Sequence, residues 1–130
     1  MSNANLSPAV RRFITEHIDS AEQLDILLLL HRDPAKGWTA MDVSQAIYTV
    51  PASATMRLEM LTASGFISSS GGSNPSYRYQ PASDALKQQV SELATAYAAD
   101  RVAVIKLIFS KPPDAIESFS EAFRLKGKKD

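Results

Sequence analysis

The sequence predicts a mainly α-helical protein carrying one small β-hairpin. Three observations lead there. Apolar residues recur at spacings of three and four through most of the chain, which is the period of one helical face. After Gly65 that period gives way to two short runs on either side of a serine- and glycine-rich segment, the pattern of paired strands around a turn. The chain has 130 residues, 45% of them hydrophobic, enough for one compact core and too few for two ordinary domains.

Each element carries its own signals. Val10, Phe13, Ile14 and Ile18 share one face of a first helix over residues 8–18, with Pro8 suited to its first turn. Ser20 followed by Gln23 is a capping-box pattern for a second helix. That helix holds Leu24, Ile26, Leu27, Leu28, Leu29 and Leu30, so it is apolar on most of its circumference and belongs in the centre. It should stop at Asp33, because Pro34 disfavours helical geometry in the residue before it. Thr39 with Asp42 caps a short third helix over residues 40–48, and Trp38 is placed to staple onto Val43. A break at Thr49 and Val50 leads to Pro51, which opens a fourth helix with Ala54, Leu58 and Leu61 on its inner face; Gly65 ends it. Residues 66–69 and 76–80 are the two strands. Ser83 then caps one long helix to about Phe109, and beyond Lys111, Pro112 and Pro113 a terminal amphipathic helix carries Ile116, Phe119 and Phe123.

Composition narrows the function. Cysteine is absent, which removes disulfides and thiolate metal ligands, and His17 and His31 have no carboxylate or cysteine companions at ligand spacing. No metal and no cofactor is expected. There is no nucleophile-elbow pattern and no glycine loop followed by a P-loop lysine, and Gly71-Gly72 is explained as a hairpin tip, so no catalytic residue is assigned and enzyme activity is not expected. The longest apolar run, Ile26 to Leu30, is far too short for a membrane span, and the N-terminus lacks the basic-then-apolar order of a secretory signal. A cytoplasmic protein is expected. Net charge is zero, with 14 basic and 14 acidic residues, a poor match for a chain that only grips phosphate.

Residues 39–80 run as short helix, tight turn, second helix ending in Ser64-Gly65-Phe66-Ile67, then hairpin. This order resembles the winged helix-turn-helix of bacterial transcriptional regulators of the MarR, ArsR and PadR type. The resemblance implies that Ala46 lets two helices cross closely and that Ala54, Leu58 and Leu61 hold the recognition helix on the core. It further implies that Ala52, Ser53, Thr55, Met56 and Arg57 face the DNA in the major groove, with Arg78 and Asn74 on the wing. Arg57 and Arg78 also read as ordinary solvated residues, and Trp38 as a core staple. The recognition helix offers one cation, Arg57, beside Glu59, and no Asn, Gln or Lys for bidentate base reading. Two partners follow: DNA for a regulator, or another protein for an adaptor built on the same fold.

The long helix supplies the second informative pattern. Leu86, Val90, Leu93, Tyr97, Asp100, Val104 and Leu107 alternate at four and three, a heptad stripe interrupted by Asp100. Val102, Ile105 and Phe109 form a second apolar row, so this part wants two packing surfaces. The terminal helix can cover one and a second subunit the other, giving a homodimer interface at Val90, Leu93, Tyr97, Val104, Leu107 and Ile108. The chain thus divides into a winged domain with its N-terminal helices at 1–82 and a C-terminal helical dimerisation element at 83–130.

Overall fold

A computed structural model of the protein describes residues 6–110. The expected terminal helix with Ile116, Phe119 and Phe123 lies outside the described residues. Six helices and a two-stranded sheet follow in the order α1 (Pro8–His17), α2 (Ala21–Arg32), α3 (Ala40–Ile47), α4 (Pro51–Ala63), β1 (Ile67–Ser69), β2 (Tyr77–Tyr79), α5 (Asp84–Ala99) and α6 (Arg101–Ser110).

Capping side chains set most of the boundaries. Ser7, Ser20, Thr39 and Ser83 each accept a hydrogen bond from a backbone N–H in the first turn of α1, α2, α3 and α5, satisfying donors that have no intrahelical partner. Thr39 and Asp42 form the reciprocal capping box. Gln23, almost fully buried, instead reaches one residue further back and accepts from the Asp19 N–H at 2.6 Å. Gly65 closes α4 at φ +88°, where a Cβ would also approach that of Ala82 to 3.4 Å, so the position suits glycine on both counts.

The expected single long helix is two. Asp100 leaves helical geometry, at φ −152° and ψ 76°. Its N–H still donates to Ala96 O at 2.8 Å, while its carboxylate accepts from the Ala103 N–H at 3.1 Å. The same residue therefore ends α5 and caps α6, which is why an aspartate interrupts the apolar stripe.

The core is one cluster. α2 lies at its centre with Leu24, Ile26, Leu27 and Leu30 inaccessible to solvent, packed on α3, α4 and β2. α1 packs on α5 and α6, so both ends of the described chain build one helical layer. The rings of Phe13 and Phe66 meet edge to face at 5.6 Å, an arrangement favoured by the ring quadrupoles, and they tie α1 to the start of β1. Val90, Leu93, Val104 and Ile108, expected at a dimer interface, belong to this core within one chain. The helix break explains the difference: α6 turns at Asp100 so that Ala103, Val104 and Ile108 face inward. Tyr97 and Leu107 are half-buried, whereas Val102 and Phe109 are 64% and 76% exposed.

Ala46 likewise differs from expectation. It is exposed, and the small residue on the inner face of α3 is Ser44, whose hydroxyl donates to the Met41 carbonyl at 2.8 Å. Burial of a hydroxyl is tolerated because that bond satisfies it.

Candidate nucleic-acid interface

α4 is held from beneath. Ala54, Leu58 and Leu61 are inaccessible to solvent, and their spacing of four and three places them on one face. The opposite stripe, Ala52, Thr55, Met56 and Glu59, is exposed. At the start of α4 no side chain caps the N-terminus, and Pro51 takes the first position.

Ser53 and Arg57 turn away from the exposed stripe. Glu22, on α2, accepts from the Ser53 hydroxyl at 2.8 Å and from the Arg57 guanidinium Nε at 3.2 Å. A hydrogen bond from Thr49 contributes most to holding the Glu22 carboxyl below its ordinary range, opposed by burial and reinforced by Ser53 and Arg57. Both side chains of the ion pair are largely covered, at 21% exposed for Arg57 and 24% for Glu22. Arg57, expected either at the DNA or in solvent, is thus engaged inside the protein. Glu59 is engaged too: its carboxylate accepts a very short hydrogen bond from the Tyr77 hydroxyl on β2. Burial first, and that carboxylate second, push the Tyr77 hydroxyl up to about 12.

The wing is built on alternation. In the antiparallel register Ile67 faces Tyr79, Ser68 faces Arg78 and Ser69 faces Tyr77. Tyr77 and Tyr79 point into the core, so Arg78 between them points out and is exposed. A third rung on the far side of β2 was not legible beforehand: Trp38 and Tyr77 exchange backbone hydrogen bonds of 2.8 and 2.7 Å. This bridge brings Gly37 beside the Arg78 guanidinium, and the Lys36 ammonium lies 3.8 Å from the centre of the Trp38 ring, a cation–π contact. Lys36 therefore joins Arg78 at the base of the wing, a residue that sequence reasoning missed. Asn74 is exposed at the tip, which Gly71 and Gly72 turn with positive φ.

Exposed apolar side chains are concentrated on the helix-turn-helix. Of the six large ones among the described residues, Met41, Tyr48, Val50 and Met56 lie on α3, the turn and α4. Tyr48 is 94% exposed and sits in the left-handed region at φ 60°, a costly conformation for a residue with a Cβ. At the other side of the domain a cleft of about 460 Å³ opens between α2 and the α5–α6 layer, lined by Leu28, His31, Arg32, Tyr97 and Arg101. Burial, followed by the charge of Arg32, lowers the His31 pKa. Among the described residues no group of His, Asp and Glu is placed to hold a metal ion, and no helix is long and apolar enough to cross a membrane.

This geometry is a winged helix-turn-helix: three packed helices, a second helix presented outward, and a hairpin wing with a third rung. Solved structures share this fold. A mutant of the S. aureus protein MepR bound to an oligodeoxyribonucleotide superposes with a TM-score of 0.54 over 92% of this chain and 86% of its own, at 11% identity. YusO from Bacillus subtilis gives 0.53 over 92% and 83% at 12% identity. The adhesin competence repressor AdcR from Streptococcus pyogenes gives 0.52 over 88% and 82% at 14% identity. No protein-family model and no curated protein matches the sequence. At such identities the likeness is one of fold.

Proposed function

We propose that this chain is a cytoplasmic, non-catalytic transcription regulator that binds duplex DNA as a homodimer. The observation that carries the reading is the outward stripe of α4. A helix anchored by three inaccessible residues presents Ala52, Thr55 and Met56 to solvent, in the position that this fold gives to its groove-entering helix. The wing adds Arg78 and Lys36 as phosphate contacts and Asn74 as a polar tip. That the MepR mutant is solved with an oligodeoxyribonucleotide supports the same reading. Ser53 and Arg57 join the interface when DNA phosphates compete with Glu22 for them.

The dimer rests on α6. Val102 and Phe109 expose large apolar area with Ile105 and Leu107 half-buried beside them, and a symmetric partner is the common cover for such a face. We place the dimerisation element in residues 83–130 and the winged domain in 1–82, with Tyr97 and Leu107 at the margin of the interface.

A second reading has its own support. Capture of Arg57 by Glu22 leaves the exposed stripe of α4 without a free cation, which suits docking to another protein. Retardation of genomic DNA fragments at low salt separates the two. Binding that weakens with added salt, on a shallow slope set by few phosphate contacts, supports the regulator. No retardation of any fragment overturns it and leaves the adaptor.

A further inference from the structure

The exposed stripe of α4 lacks the groups that usually read bases. The helix's cation and serine are held by Glu22, its glutamate by Tyr77, and the helix carries no Asn, Gln or Lys. What it does present is small and apolar: Ala52, the methyl of Thr55 and the thioether of Met56, all exposed. Tyr48 and Val50 extend the apolar character through the preceding turn, at 94% and 61% exposed. In the major groove the complement of such a surface is the thymine C5-methyl group, the one apolar feature on the base edges.

We propose that this protein selects its DNA through thymine methyl groups, which Ala52, Thr55 and Met56 contact in the major groove, with bidentate hydrogen bonding to purines playing no part. The inference rests on the DNA-binding reading above and names the chemistry of the same face. Three features agree with it. A water-exposed apolar stripe gains when it meets another apolar group. With zero net charge the chain has little to offer phosphates, and phosphate contacts carry no sequence information in any case, which leaves discrimination to the stripe that faces the bases. Finally, four of the six exposed large apolar residues fall between positions 41 and 56, a concentration that a helix reading bases by hydrogen bonds does not need.

The test uses two pools of the same randomised duplexes, one synthesised with thymine and one with uracil, which removes only the C5-methyl. Equilibrium binding to the full chain is measured at low salt. Wild type should favour the thymine pool by about fourfold for each methyl buried, the equivalent of about 0.8 kcal/mol per carbon. Fragments selected from the thymine pool should be enriched in thymine. Met56→Ala and Thr55→Ser, both at exposed positions, should narrow the preference, whereas Arg78→Ala should weaken both pools alike. Equal binding of the two pools overturns the inference while leaving the regulator reading intact. A thymine preference untouched by both α4 substitutions also overturns it, because the methyl would then act through DNA shape. If neither pool is retained, the regulator reading fails with it, and the apolar stripe passes to a protein partner.

Discussion

Glu22→Gln tests the internal capture of the recognition helix, because it removes one charge and keeps nearly the same shape. In the native protein the carboxylate receives Ser53 at 2.8 Å and Arg57 at 3.2 Å. The amide retains an accepting oxygen, so the Ser53 bond survives as a neutral one, while the Arg57 bond keeps its charged donor and loses its charged acceptor. A hydrogen bond to a charged group contributes about 1.5–3 kcal/mol and a neutral one about 0.5–1.5, so the Ser53 bond loses about 1–1.5 kcal/mol and the loss of the ion pair adds about 0–1 kcal/mol. The ion pair is about three-quarters covered, so solvent screening removes only part of this. Thermal melts should show a loss of roughly 3–8 °C. The sign with pH follows from the direction of the shift. Glu22 titrates below its ordinary value of 4.5 in the folded chain, so its stabilisation is fully present above 4.5 and fades as pH falls through the lower folded value. The gap between variant and wild type should therefore close in acid. Binding should move the other way: Arg57, freed for phosphate, should steepen the dependence of log affinity on log salt by about 0.9. An unchanged melting point across pH would refute the capture, and an unchanged salt slope would refute the role of Arg57 as a reserve phosphate contact.

Other expectations follow from burial. Leu58→Ala removes a side chain with no solvent access and should cost about 2–5 kcal/mol, read as a large fall in urea midpoint; a midpoint within error of wild type would place α4 in another register. Arg78→Ala, at an exposed position, should leave the melt within about 0.5 kcal/mol and flatten the salt slope of DNA binding by about one unit. Val102→Glu with Phe109→Glu should give folded monomers by light scattering, because both side chains face solvent in one chain. Ile108→Glu should instead unfold the protein, since Ile108 is buried and an unpaired buried charge is costly. A dimer that persists in the double variant would move the interface away from α6.

The elements themselves were legible because their signals are local. Serine or threonine before a periodic run, proline in a first turn, glycine after the last turn and the change of period at Gly65 act within four residues, the reach of helical hydrogen bonds. The buried set on α4 followed from the same spacing. Asp100 was visible as an interruption of the stripe, yet whether it breaks the helix or merely faces solvent depends on its backbone angles. Packing of α6 against α1 settles those angles, and with them the burial of Val90, Leu93, Val104 and Ile108.

Pairings between residues far apart in the chain were decided by the tertiary structure alone. Glu22 meets Arg57 across 35 positions, and at its place in the first turn of α2 it reads equally well as a residue that only complements the helix dipole. Trp38 meets Tyr77 through backbone atoms, which no side-chain pattern announces. Up to the break at Asp100, the sequence by itself thus determined which of the described segments are helix, turn and strand, and that a winged fold results, because those choices minimise unsatisfied backbone groups locally. Which polar groups of α4 remain free for a partner was settled only when α2 and β2 came to rest against it, since a side chain's partners depend on what the whole core brings within hydrogen-bonding distance.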